Sequence, residues 1–155
     1  MFTWMEGTPI AQWVSLSLYA YPMLLAVHIV GLAVVVGIFM MRDLRLLGCF
    51  EGLDPVAFLS LSKFAWVGFI FNAISGVMLF TSQAVTFAGN PAFLIKIGCI
   101  LVGMALAGVI QSRLRVDLRA GGGSLISGST RTLAVCSLLT WTGAIIAGRL
   151  VAYII

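Results

Sequence analysis

Four apolar stretches, at about 22–41, 64–84, 91–111 and 132–155, constrain this chain more than any other feature. Each approaches or exceeds the ~20 residues a helix needs to cross about 30 Å of hydrocarbon. In lipid every backbone N–H and C=O must be satisfied within its own segment, so such runs fold as helices. The chain has 155 residues, of which 61% are hydrophobic and 9% charged. A soluble domain carries about 25% charged residues. The expected fold is therefore all-α: a single transmembrane domain over 1–155, an integral-membrane four-helix bundle with a short interfacial helix at 9–20.

Three proline starts punctuate the runs. Thr8-Pro9, Asp54-Pro55 and Asn90-Pro91 each pair a capping side chain with proline at the first helical position. Trp13 and Tyr19 on the first segment, with Trp4 upstream, suit the membrane–water interface. Met1–Ala20 lacks a positive leader region, so the run that follows is expected as a retained span rather than a cleaved signal. Pro22 starts or kinks that span, which is predicted to stop near Met41 at Arg42, Asp43 and Arg45. Loop 42–62 and an amphipathic lead, Val56–Lys63, precede the second span. The third continues through a polar end to Arg119 and is expected to stop at Gly121-Gly122-Gly123. Ser129-Thr130 is read as the cap of the fourth. Ala33 with Gly37, and Ala144 with Gly148, have small-xxx-small spacing that lets helices approach.

Lys and Arg outside the spans divide seven to none. Arg42, Arg45, Lys63, Arg113, Arg115, Arg119 and Arg131 all fall at one end of the bundle. By the positive-inside rule the two basic loops are cytoplasmic and both termini outside, as in a multi-pass protein of a bacterial inner membrane with a periplasmic outer face. The net charge of +4 serves orientation; no basic patch interleaved with exposed aromatics points to nucleic acid. Cys49, Cys99 and Cys136 make no CxxC pair, so neither a structural disulfide nor a thiolate metal site is expected.

Three ionisable residues fall inside the spans: His28, Lys96 and Arg149. Intramembrane ionisable groups are costly and mark functional sites by default. Counting from the outer end of each span places all three roughly 7–10 Å deep at 1.5 Å per residue. No acidic residue is expected at that depth. Lys96 and Arg149 can instead snorkel to headgroups, and His28 can simply bond a neighbouring helix, with Ser75 nearest in depth and Asn72 or Thr142 somewhat deeper. The sharper reading is a site for an anionic, largely apolar ligand such as haem b. Imidazole ligates iron, and Lys96 and Arg149 can pair with propionates. Gly31 leaves room for a flat ring on the face shared by His28 and Val35. Gly68, Asn72, Ser75 and Gly76 form a small and polar stripe on the second span. On the fourth, Thr142 and Arg149 share a face with Ile145 and Ile146 between them. A quinone or a lipid headgroup fits the same description. So does copper in part, through His28 and methionine. With one histidine, a haem here is five-coordinate, takes a methionine such as Met23 or Met78, or is completed by another subunit.

The pattern His28-x-x-Gly31, Gly37, Arg42 and Leu46-Leu47 resembles the first helix of a group of small bacterial membrane proteins. The group includes the HemJ-type four-helix protoporphyrinogen oxidase of haem synthesis, the membrane domain of CopD-type copper-resistance proteins, and an uncharacterised bacterial family of the same architecture. Asn90-Pro91 followed by Lys96 is similar to the start of the oxidase's third helix. The resemblance implies a four-helix bundle, an axial-ligand role for His28 and a supporting role for Lys96.

The leading expectation is a haem-binding or redox-accessory membrane protein with His28 as metal ligand and Lys96, Arg149, Gly31 and Asn72 around it. The alternatives are a structural subunit of a larger complex or a homo-oligomer without its own cofactor, and an enzyme or copper-handling protein of the resembled families. An enzyme is the less expected outcome: Glu6, Asp43, Glu51, Asp54 and Asp117 are the only acids, and all are read as outside the spans.

Overall fold

The computed structural model describes residues 2–119 and 127–154. Its described residues are helical or in turns, without strands. Seven helices follow in order: α1 (Thr3–Glu6), α2 (Pro9–Leu16), α3 (Ala20–Leu46), α4 (Pro55–Ser82), α5 (Ala84–Ala88), α6 (Pro91–Arg119) and α7 (Gly128–Leu150). Helices α3, α4, α6 and α7 are long and apolar enough to cross a membrane, so the protein is an all-α, multi-pass membrane bundle.

The proline starts form as their chemistry requires. Thr8 Oγ1 accepts from Ala11 N at 3.3 Å, and Asp54 Oδ1 accepts from Val56 N at 2.9 Å. Asn90 Oδ1 accepts from Ala92 N and Phe93 N at 2.9 and 3.2 Å. Each satisfies an amide that the first turn of a helix leaves unpaired. Asn90 also donates through Nδ2 to the carbonyls of Val151 and Ile154, tying the start of α6 to the end of α7.

Helix limits depart from the sequence reading. Helix α3 does not stop near Met41; it runs on to Leu46 and ends in a Schellman turn. Gly48 takes φ +97°, its N–H reaches Arg45 O, and Cys49 N reaches Leu44 O at 3.0 Å. The left-handed glycine, rather than the charges, is the stop. Val56–Lys63 belongs to α4 from its first turn. Helix α7 begins one residue after Ser127 with no side-chain cap, so Ser129 and Thr130 lie inside it. It ends at Leu150, and the expected end at Ile155 lies outside the described residues, as does Gly121-Gly122-Gly123.

The long helices run up and down. Helix α3 pairs with α4, α6 pairs with α7, and α3 lies against α7; α4 and α6 touch only sparsely. Val35, Val36 and Phe39 meet Ala65, Met104, Ala107 and Trp141 in one core cluster, and Leu46, Ile110, Leu114 and Ala134 form a second. Phe39 stacks on Trp141 with ring centroids 5.8 Å apart. Gly103 admits the indole, since a Cβ there would stand 3.0 Å from Trp141 Cε2. Of the two small-xxx-small pairs, Ala33 and Gly37 are exposed and a Cβ on Gly37 would meet nothing within 4 Å. The close approach of α3 to α4 runs instead through Gly31 and Gly68.

The short helices close the end opposite the basic residues. Ala11 and Val14 of α2 are fully buried, and α2 packs against α4. Glu6 accepts from Val85 N at the start of α5. Phe93 stacks on Phe80 and on Phe87 at 5.4 and 5.5 Å, joining α4, α5 and α6.

Candidate functional site

His28 sits in the first half of α3, its imidazole half-buried against α4. Its Nδ1 lies 3.0 Å from Asn72 O and 3.2 Å from Ser75 Oγ. A backbone carbonyl only accepts, so Nδ1 carries the proton. Nε2 is then the lone-pair nitrogen of the neutral ring. Asn72 returns the bond, donating from Nδ2 to His28 O at 2.6 Å, while Ser75 Oγ donates to α4's own carbonyls of Phe71 and Asn72. Gly76 makes the approach feasible: a Cβ there would lie 3.0 Å from His28 Cε1 and 3.4 Å from Nδ1. Helix spacing explains the set, since Asn72, Ser75 and Gly76 fall three and four apart on one face of α4.

A carbonyl bond at Nδ1 is the arrangement that orients metal-ligating histidines and leaves Nε2 to the metal. The surroundings restrict what can approach. The space expected beside Gly31 is filled, because a Cβ there would be 3.4 Å from Asn72 Cβ and 3.5 Å from both Asn72 Nδ2 and Gly68 O. A macrocycle does not fit between α3 and α4. With Nδ1 engaged, Nε2 is the ring nitrogen left to meet any further group. Met23, a candidate second ligand, is 65% exposed and turned outward.

The three ionisable residues do not converge as a triad. Lys96 is half-buried on α6. Its stem crosses to α7 at Gly148, where a Cβ would lie 3.5 Å from Lys96 Cδ. Arg149 is exposed: it donates from Nη2 to Tyr153 Oη at 3.1 Å and lies over that ring. Thr142, Ile145 and Ile146 are exposed with it. The α7 face proposed to line the pocket is therefore exposed, and of its residues Ile146 borders α6 rather than His28. At this end a cavity of about 270 Å³ opens between α6 and α7, lined by Pro91, Ala92, Ile95, Gly143, Ile146, Ala147, Leu150 and Ile154; His28 is not among them. Among the described residues no three His, Cys, Asp or Glu side chains come together to hold a metal ion.

A second polar centre was invisible as such in the sequence. Arg42 and Asp43, read as the charged end of the first span, lie inside the bundle with relative exposures of 1% and 0%. Arg42 Nε and Nη2 donate to Asp43 Oδ1 at 2.9 and 2.7 Å, and Nη1 donates to Ala107 O on α6 at 3.1 Å. The guanidinium also covers the Phe39 ring at 5.0 Å. Ser137 of α7 faces the Asp43 carboxylate, although neither its hydroxyl nor Asp43 Oδ2 reaches hydrogen-bond geometry with any partner. Gly48 was the readable signal that α3 runs past Met41 to Leu46, but a helix stop says nothing about which side chains are buried.

The chain matches no protein-family model, no curated protein and no solved structure.

Proposed function

We propose that this is a small multi-pass membrane protein that binds haem b through a single axial imidazole, His28, and serves a redox or accessory role. One observation carries the reading. Nδ1 of His28 is engaged by the Asn72 carbonyl, so the ring is fixed in the tautomer that offers Nε2 as a donor. Lys96, half-buried on α6, is the cation assigned to pair with an anionic substituent of the ligand. Arg149 has no part in this version of the site. A bound haem supplies one-electron chemistry; the chain's contribution is to orient the imidazole, fix its proton and keep the site in an apolar setting. The protein belongs, on this reading, in a bacterial inner membrane with both termini outside and the basic loops in the cytoplasm. The test is an absorption spectrum of wild type and His28→Ala purified in mild detergent from haem-supplied cells. A Soret band in the wild type that is lost in the variant is expected. A colourless wild type would refute the reading.

The reciprocal bonds between His28 and Asn72 favour a second reading, a structural subunit without its own cofactor in which His28 locks α3 to α4. Native mass spectrometry separates the two. A stoichiometric protein partner and no bound haem would support the subunit.

A further inference from the structure

A groove of about 240 Å³ opens between α4 and α6 at the end of the bundle opposite His28. It exists because these two helices touch only sparsely. Its walls are Lys63 and Trp66 from α4, and Gly108, Gln111, Ser112 and Arg115 from α6. Helical spacing makes the walls continuous: Lys63 and Trp66 are three apart, and Gly108, Gln111 and Arg115 follow at three and four.

Four features give the groove a chemistry. Lys63 and Arg115 bring two positive charges to it, and the ion pair among the described residues, Arg42 with Asp43, involves neither. Gln111 is 6% exposed, and its Oε1 is buried without a hydrogen-bond partner. An unpaired buried acceptor is costly, and because Gln111 lines the groove, rotation of its amide would present Oε1 to a donor there. Trp66 is 40% exposed, an amphipathic ring of the kind that sits at headgroup level. Gly108 leaves open space beside it, since a Cβ there would meet nothing within 4 Å.

We propose that this groove is a binding site for one anionic glycerophospholipid whose headgroup carries hydroxyls. Its phosphodiester pairs with Lys63 and Arg115, and a headgroup hydroxyl donates to Gln111 Oε1. The glycerol and the first methylenes lie along Trp66 and over Gly108. Basic pockets between membrane helices bind anionic headgroups by this chemistry. Phosphatidylcholine brings a quaternary ammonium that two cations repel and that has no hydrogen to donate. The site is independent of His28 and of the haem reading.

Native mass spectrometry of the full chain, delipidated in neutral detergent and offered phosphatidylglycerol, phosphatidic acid, phosphatidylcholine or inorganic phosphate, tests this. One phosphatidylglycerol should be retained through activation that strips phosphatidylcholine. The double variant Lys63→Gln with Arg115→Gln should weaken retention roughly 30-fold, while Arg113→Gln with Arg119→Gln, which removes equal charge at the same end, should leave it intact. Gly108→Leu, which grows into open space, should block binding with both cations present. Gln111→Leu, which removes the acceptor for the headgroup hydroxyl, should weaken retention of phosphatidylglycerol. Equal retention of phosphatidylglycerol and phosphatidylcholine would overturn the proposal. So would equal loss in the two double variants, or displacement of the lipid by millimolar inorganic phosphate.

Discussion

At the residue scale, two polar centres at different depths hold the helices together, and they differ in how readable they were. His28, Asn72 and Ser75 could be listed from depth alone, and the structure joins them through specific atoms. The filled space at Gly31 and the outward turn of Arg149 were not readable, because depth along a helix says nothing about the angle at which a neighbour packs. Asn72→Ala removes the amide that donates to His28 O and should lower stability in detergent by about 0.6–1.7 kcal/mol, the range for bonds between membrane helices. Thermal unfolding followed by circular dichroism measures it. The Arg42–Asp43 pair makes a sharper prediction. Arg42→Met leaves the Asp43 carboxylate buried and unpaired and should cost about 3–5 kcal/mol, whereas Arg42→Met with Asp43→Leu should recover most of that loss. Equal destabilisation of the single and double variants in the same assay would contradict a pairing role.

At the scale of the elements, capping and punctuation were legible and packing was not. Each proline start caps its helix with the side chain that precedes it, because that chemistry is local. The end of α3 needed Gly48, and the closeness of α6 to α7 depended on Gly103 meeting Trp141, a contact between positions 38 residues apart in the sequence. Spacing had nominated Gly37, which faces open space. The two glycines should respond to alanine with opposite signs. Gly103→Ala forces a stiff indole to move and should destabilise by about 1–3 kcal/mol. Gly37→Ala adds no clash and should be neutral or stabilising by up to about 1 kcal/mol through helix propensity. Melting temperatures of the two variants side by side decide the matter.

At the scale of the whole molecule, apolar run length was enough to expose four membrane helices, since hydrocarbon thickness sets that length directly. Charge asymmetry has a structural counterpart: of the seven basic residues counted outside the spans, all but the buried Arg42 stand at the end that carries the lipid groove, away from His28. That asymmetry predicts a sidedness. Cys49 is exposed in the turn after α3. In a Cys99→Ser, Cys136→Ser background it should react with an impermeant maleimide only after the cells are permeabilised; labelling in intact cells would invert the topology. The proposed function rests on fewer atoms than the fold does, chiefly on Nε2 of His28. The most direct measurement is haem per chain, by pyridine haemochromogen assay on purified protein reconstituted with haem. One equivalent in the wild type, falling below about one tenth in His28→Ala as expected for loss of an axial bond, is the predicted result. No haem in the wild type, or equal haem in both proteins, would contradict the assignment.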